Sequence, residues 1–233
     1  MDISWLGFAA LRVRTRTASV VMEPAARSAG VDMSRPTADI VTVSHDHPSH
    51  AHVAGVRGEP IVLTRPGEYE IQGVQLLGVA THLAPDTSAD TDAPGTEAPG
   101  TEAPDAASAG RPGGRNVVFV LEAEQMRLAH LGAMGTPPTS EEAEQLAGVD
   151  VLVVPVGGES TLPAAAAARL TRQLEPHVVI PVCYARDGSG DSAELSAYLA
   201  ALGLEAEAPV TRLSLQRRGL GDATRVLLLE SRG

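Results

Sequence analysis

One short segment constrains the fold more than any other: an apolar strand that runs directly into a group of histidines. Residues 40–43 read Ile-Val-Thr-Val, and the nine residues that follow, SHDHPSHAH, hold four of the chain's seven histidines. Consecutive β-prone residues predict a buried strand that ends where the histidines begin. Histidines spaced as His45, His47 and His50 after such a strand are typical of a metal site.

The rest of the chain is a series of short apolar segments separated by turn residues. In the first half, strands are predicted at 3–6, 11–13, 19–22, 40–43, 61–64, 69–71 and 75–79. The second half predicts a hairpin over 117–121 and 126–131, helices over 140–146, 162–174 and 193–202, and strands over 151–154, 178–182, 210–215 and 226–230. With 233 residues and 43% hydrophobic content, the chain is long enough to bury a core. The pattern predicts an α/β (α+β) fold in a single domain, residues 1–233.

The segment 84–114 does not follow this pattern. It contains the tandem repeat Ala-Pro-Gly-Thr-Glu, six acidic residues and no large apolar residue. Because it cannot bury enough surface to offset the entropy lost on ordering, we predict an acidic, low-complexity, flexible insertion. It leaves the chain just after His82, so it is either an inert surface insertion or a lid over a site beside that histidine.

Charge and composition exclude several classes of function. The net charge is −11 and all 18 basic residues are arginine, so we expect no nucleic-acid partner. No apolar run is long enough to cross a membrane, and the first residues lack the basic and apolar regions of a signal peptide. A single cysteine, Cys183, fits a reducing compartment. We therefore expect a cytoplasmic protein.

Several motifs, in order, resemble those of the metallo-β-lactamase fold superfamily. They are Trp5-Leu-Gly, the stretch 38–50 around the histidines, Gly-Glu-Tyr-Glu-Ile at 67–71, Gly-Val-Ala-Thr-His at 78–82, His-Leu-Gly-Ala-Met-Gly at 130–135, the stretch 150–158 and Ile-Pro-Val-Cys-Tyr at 180–184. The chain is most similar to the small cytoplasmic branch of ascorbate-6-phosphate lactonase-like and UPF0173-type metal-dependent hydrolases. The resemblance implies a four-layer αβ/βα sandwich with a metal site at the sheet edges.

The resemblance also implies which residues hold metal. Members of the superfamily commonly bind two ions. On this chain the first ion would be bound by His45, His47 and His82, and the second position retains only His50 and Cys183. Three neutral imidazoles and one water suffice for a catalytic zinc ion. Asp46 would orient an imidazole or accept a proton from that water.

The chain departs from the superfamily pattern at four positions. Ser49 replaces the motif aspartate, Ala133 replaces the bridging aspartate, Cys183 replaces the late histidine, and Phe8 follows Trp-Leu-Gly where a histidine is expected. Since two ligands without a carboxylate should bind metal weakly, we expect one zinc ion or none. His130 has lost its carboxylate neighbour, so we interpret it as a structural histidine at a strand end.

Two hypotheses about function follow. In the first, the protein is a mononuclear zinc hydrolase of a small ester, lactone or phosphoester, with His50 available to transfer protons. In the second, it is a catalytically inactive member of the fold that serves as a binding or structural module. A small-molecule substrate belongs to the first hypothesis. Apolar sheet edges that need cover are compatible with a homo-oligomer.

Overall fold

The computed structural model describes residues 1–85, 114–158, 160–184 and 192–230, and their strands form two mixed β-sheets. The spatial order of the six-stranded sheet is β13 (Leu213–Ser214), β1 (Asp2–Gly7), β2 (Ala10–Arg14), β3 (Ser19–Met22), β4 (Ile40–Thr42) and β5 (Ile61–Leu63). The order of the eight-stranded sheet is β12 (Ala206–Val210), β14 (Arg225–Leu229), β11 (Val178–Val182), β10 (Val151–Pro155), β9 (Met126–His130), β8 (Arg115–Ala123), β7 (Val74–His82) and β6 (Gly67–Ile71).

The main apolar core joins residues of both sheets. Ile3, Trp5 and Leu11 of the first sheet belong to the same buried cluster as Phe119 and Leu128 of the second. Side chains alternate across a strand, so these residues project from the inner faces of the sheets. The described residues therefore form the two-sheet sandwich with helices that the resemblance implies.

The two sheets are covered differently on their outer faces. The helices are α1 (Ser140–Gln145), α2 (Ala164–Leu174) and α3 (Ala193–Leu202). Thr171 of α2 hydrogen-bonds Tyr198 of α3 at 2.8 Å, both side chains are buried, and Tyr198 belongs to the main core together with residues of β10 and β11. A second apolar cluster covers the six-stranded sheet, where Val31, Met33 and Val56 come from loops and short 3₁₀ turns rather than from an α-helix of the described residues.

The helix and strand predictions are confirmed except near the C-terminus. Thr139 and Glu142 form a reciprocal capping box at the start of α1. The single strand predicted over 210–215 is wrong, because the chain passes there from one sheet to the other. β12 pairs with β14, whereas β13 pairs with β1 in the opposite sheet. The alternation of apolar residues predicts extended backbone but does not indicate which sheet the strand joins.

Two other expectations concern the acidic insertion and membrane-spanning helices. The segment predicted as a flexible insertion lies outside the described residues, apart from residues 84, 85 and 114. Within the described ranges, no helix is long and apolar enough to cross a membrane.

A buried carboxylate, Asp150, connects three segments at the start of β10. Its Oδ2 accepts the backbone N–H of Arg127 at 2.8 Å, its Oδ1 pairs with the guanidinium of Arg217, and His177 Nε2 lies 3.7 Å away. The Asp150 side chain is only 5% exposed, whereas that of Arg217 is 52% exposed. Asp150 thus attaches the turn after β13 to the eight-stranded sheet.

We expect Asp150→Asn to lower the free energy of unfolding by about 2 kcal/mol, because a charge-assisted hydrogen bond is lost in a desolvated place. The corresponding fall in melting temperature is about 4–8 °C for a chain of this size. Glu207→Gln is the matched control, since Glu207 pairs with Arg225 at 2.6 Å but both side chains are nearly half exposed. Calorimetry that finds equal losses in the two variants would contradict the structural role of Asp150.

Candidate metal centre

The histidines lie at an edge where several strands end. β3 and β4 are parallel, so Glu23 after β3 and Ser44 after β4 emerge side by side. The second sheet meets them there, because Val117 N donates to the carbonyl of Ser44 at 2.9 Å. Cys183, which follows β11, donates its N–H to the carbonyl of Phe8, which follows β1, at 3.1 Å. Carboxyl ends of parallel strands are the usual place for a ligand site.

Glu23 is the centre of the hydrogen-bond network at this edge. Its side chain is 2% exposed, and both of its oxygens accept hydrogen bonds. Oε1 accepts the backbone N–H of Ser44 at 2.7 Å, and Oε2 accepts the hydroxyl of Ser44 at 2.5 Å and Nδ1 of His50 at 2.6 Å. A buried carboxylate with three donors is rigidly oriented.

This network determines which ring nitrogens of two histidines are available. The hydroxyl of Ser44 gives its only proton to Glu23, so at its 2.9 Å contact with His45 Nδ1 it must accept, and His45 carries its proton on Nδ1. His50 likewise donates from Nδ1 to the carboxylate. In the neutral form of each ring, Nε2 therefore presents a lone pair. This carboxylate–histidine arrangement is the one that orients metal ligands in proteins.

The geometry of the described residues groups Glu23, His45 and His50. One potential ligand atom of each lies within 4.8 Å of the others. The His45 and His50 rings are 4.5 Å apart between centroids, and His47 stacks on His45 at 5.9 Å. The three clustered histidines predicted from the sequence are thus neighbours in space.

Burial keeps His45 neutral. Desolvation, followed by repulsion from His50, lowers the pKa of His45 to about 4. Burial would raise the pKa of Glu23, but the hydrogen bond and the charge of His50 outweigh it, and the net pKa lies below the ordinary value. A neutral imidazole beside an ionised carboxylate is the protonation state that a metal ion needs.

His47 is held in a different way. Its Nδ1 lies 2.6 Å from the hydroxyl of Ser49 and accepts the Ser49 N–H at 3.3 Å. His47 is exposed, whereas Ser49, which occupies the position of the motif aspartate, is buried. His47 Nδ1 is therefore occupied by Ser49, and His47 lies outside the group formed by Glu23, His45 and His50.

The other two predicted site residues are placed as follows. His82 ends β7 and is half-buried, and its Nδ1 is buried without a hydrogen-bond partner in the described chain. An unpartnered buried nitrogen has a lone pair or proton to satisfy, and coordination of a metal ion is one way to satisfy it. Asp46 is exposed and makes no hydrogen bond to an imidazole among the described residues, although its charge raises the pKa of His45 slightly.

The positions that depart from the superfamily pattern are filled by packing. His130 donates from Nε2 to the carbonyl of Ala9 at 2.9 Å and accepts Gly132 N–H at Nδ1 at 3.0 Å. Both of its nitrogens are thus satisfied by backbone, as expected of a structural histidine. Ala133 is buried, and its N–H is accepted by Asn116 Oδ1 at 2.9 Å.

Cys183 and Phe8 also pack into this edge. Cys183 is buried, and burial raises the pKa of its thiol well above the ordinary value. Its sulfur does not belong to the Glu23–His45–His50 group of the described chain. Phe8 meets the ring of His50 edge-on at 5.6 Å between centroids. These contacts place a thiol and a phenyl ring where the pattern expects two imidazoles.

Sequence reasoning missed Glu23. The available signal was an acidic residue between the buried strand β3 and Pro24, a place where an unpaired carboxylate would be costly. Its partner His50 is 27 residues away along the chain, so no local pattern connects the two.

The donor set suits one divalent cation that prefers imidazole. The oriented Nε2 lone pairs of His45 and His50, beside the carboxylate of Glu23, are of the type zinc selects. The unpartnered nitrogen of His82 is a further imidazole donor, although it lies outside the Glu23–His45–His50 group of the described chain. Ala133 and Ser49 leave the neighbouring position without a carboxylate. The residues present therefore fit a single ion better than a pair.

Comparison with known proteins identifies the family of the chain. Residues 2–183 match the model of a β-lactamase superfamily domain. A UPF0173 metal-dependent hydrolase of Polaromonas sp. is 28% identical over 87% of this chain and 83% of its own length, and a UPF0173 protein of Pyrococcus abyssi is 25% identical over 82% and 87%. Among solved structures, a metallo-β-lactamase superfamily protein of Thermotoga maritima is 26% identical, with a TM-score of 0.71 and 99% coverage of both chains.

Proposed function

The chain belongs to the β-lactamase superfamily, and from that membership and the geometry of its histidines we propose that it is a hydrolase that uses one zinc ion. The single observation that carries the proposal is the Glu23 network, which leaves the Nε2 atoms of His45 and His50 as oriented lone pairs. The names of similar proteins support it. The Polaromonas relative is called a metal-dependent hydrolase, and the Thermotoga protein is described as a candidate zinc-dependent hydrolase.

The proposed ligands are His45 and His50, with His82 as the third imidazole. This set differs from the sequence prediction in exchanging His47 for His50. The reason is that His50 is buried and its Nδ1 is bonded to Glu23, while His47 is exposed and its Nδ1 contacts Ser49. A bound divalent cation supplies Lewis acidity that lowers the pKa of water and polarises a carbonyl or phosphoryl oxygen.

In this proposal, proton transfer takes place on the exposed side of the site. Asp46 and His47 both face solvent beside His45. In this proposal Asp46 accepts a proton from water and the exposed His47 ring passes it to solvent, while the His47 Nδ1–Ser49 hydrogen bond orients that ring. His50, which the sequence suggested as a proton shuttle, is too buried for this role and acts as a ligand instead.

The proposed substrate is a small ester, lactone or phosphoester. One metal ion polarises an oxygen of any of these groups without a second ion. Phe8 provides an apolar wall against His50, which favours a substrate with an apolar part near the reacting group.

Elemental analysis of untagged protein, purified without chelator, tests the proposal. We expect roughly one zinc per chain. His50→Ala should lose it, because it removes one ligand, while His52→Ala in the adjacent loop should retain it. Hydrolysis of model esters and lactones should stop on chelation and return with zinc. Zinc that stays bound in His50→Ala would exclude His50 as a ligand.

A second candidate function is a non-catalytic binding module. The observation that favours it is the packing of Ser49, Ala133 and Cys183, all buried, at positions where the superfamily places polar ligands. Protein that takes up no zinc on addition of excess metal, while remaining folded, would support this candidate and contradict the hydrolase.

A further inference from the structure

A large cleft lies at the edge of the sandwich opposite the histidines. Its volume is about 1020 Å³, and its lining comes from the start of β1, the end of β2, the start of β3, the β8–β9 turn and the segment after β13. β4 runs from Asp39 in the cleft toward His45, and β9 runs from Gln125 in the cleft to His130. The cleft and the candidate metal centre are therefore separated by the length of these strands.

Four arginines converge on this cleft from the two ends of the sequence. They are Arg14, Arg16, Arg217 and Arg218. The chain as a whole carries a net charge of −11, and the sequence shows these arginines only as two small, distant groups. Folding thus brings four guanidinium groups to one place on an acidic protein, beside the carboxylates of Asp2, Asp39 and Glu124. The cleft is called the arginine cleft below.

Three of the four guanidinium groups have donors to spare. Arg14 is exposed and has no ion pair within the described residues. Arg16 is 85% exposed and reaches Glu124 only at 4.0 Å. Arg218 donates to the neutral amide oxygen of Gln216 at 3.1 Å. Among the described residues, Arg217 alone of the four has a close carboxylate partner, Asp150.

The carboxylates of the arginine cleft are already engaged with other donors. Asp2 accepts the hydroxyl of Ser214 at 2.5 Å, and Asp39 accepts the N–H of Ser19 at 2.8 Å. Glu124 accepts the backbone N–H of Arg16 at 2.8 Å and the α-ammonium group of Met1 at 2.5 Å. These contacts take up acceptor capacity that would otherwise compete for the arginines.

We propose that the arginine cleft binds a phosphorylated small molecule that carries two or more negative charges. A guanidinium group donates two parallel hydrogen bonds to two oxygens of one phosphate. Several arginines spaced around one cavity therefore suit a ligand with more than one phosphoryl group. The cavity volume is that of a small-molecule site. The exposed Thr17 hydroxyl lines the same cleft and adds a donor, whereas the Thr15 hydroxyl already donates to the carbonyl of Ala18 at 3.1 Å.

Calorimetric titration with inorganic pyrophosphate and with ADP tests this proposal. We expect wild-type protein to bind at least one of the two, with affinity that falls as salt is raised. The double variant Arg14→Gln/Arg218→Gln should weaken binding at least tenfold. The double variant Arg35→Gln/Arg57→Gln removes the same charge from exposed arginines outside the cleft, and it should bind as wild type does.

His50→Ala separates this cleft from the metal centre. It should retain pyrophosphate and ADP binding, since phosphate held by a metal ion would be lost in that variant. Absence of binding to wild type, an equal loss in the two arginine double variants, or loss in His50→Ala would each overturn the proposal. If the cleft double variant is destabilised, Arg218→Gln alone gives the same test, because its only hydrogen bond is to Gln216 in the described chain.

Discussion

Glu23→Gln is expected to weaken zinc binding by about 10- to 100-fold, the usual effect of removing a carboxylate that orients a ligating histidine. The amide keeps one oxygen that accepts from Ser44, but its NH₂ group faces His50 Nδ1, which is itself a donor. His50 must then rotate or change its tautomer, and either change takes the Nε2 lone pair out of position. Zinc titration against a competing chelator measures the effect.

The same substitution should also lower the stability of the metal-free protein. His50 and Ser44 would each lose a hydrogen bond to a buried charge, which costs about 1.5–3 kcal/mol per bond. Since the pKa of Glu23 is lowered in the folded state, its contribution is present above the carboxylate's unfolded pKa and disappears as pH falls through the folded pKa. Glu23→Gln should therefore flatten the acid limb of the stability curve.

Glu124→Gln is the matched control for this prediction. Glu124 has nearly the same left-handed backbone as Glu23, with φ of 55° against 56°, and its carboxylate also accepts a backbone N–H. It lies at the opposite edge of the sandwich, so zinc affinity should not change. Equal zinc affinity in wild type and Glu23→Gln would show that Glu23 does not orient the ligands.

Gly132→Ala is expected to lower the free energy of unfolding by about 3 kcal/mol, or about 6–12 °C in melting temperature. Gly132 has φ of +63°, and a Cβ there would overlap the side chain of Ser44 and lie 2.7 Å from Asn116 Oδ1. Both neighbours are buried and hydrogen-bonded, so neither can move freely. Displacement of Ser44 would also disturb the Glu23 network.

Gly203→Ala separates crowding from backbone strain. Gly203 ends α3 with φ of +77°, and a Cβ there meets nothing within 4 Å. It should cost only the left-handed conformation, about 1–2 kcal/mol. Thermal unfolding of the two variants gives the difference. Equal losses would mean that Ser44 and Asn116 yield to the methyl group, and zinc affinity in Gly132→Ala would then remain normal.

Most of the fold could be predicted from local patterns. Strands such as β10 and β11 are apolar runs bounded by turns, and α1 begins at a capping box that can be read directly as Thr-Ser-Glu-Glu. The exception is the segment 210–215. There the same extended pattern serves two sheets, and the crossing depends on which neighbours are free to pair.

Less of the site could be predicted. The sequence brought His45, His47 and His50 to the end of one strand, and these rings do lie together. It did not predict that Glu23 hydrogen-bonds to this cluster, or that the hydroxyl of Ser44 bonds both Glu23 and His45. The ligand roles proposed for His82 and Cys183 remain predictions for metal analysis to decide.

By itself, the sequence determined the family, the order of strands and helices, and the histidine cluster, because each depends on spacing over a few residues. The tertiary structure alone decided which carboxylate orients which imidazole, and it brought Arg14 and Arg218 into one cleft. Contacts of that kind join residues that are tens to hundreds of positions apart. They form only when the long loops between strands close, and the free energy of that closure is set by the whole core rather than by any local pattern.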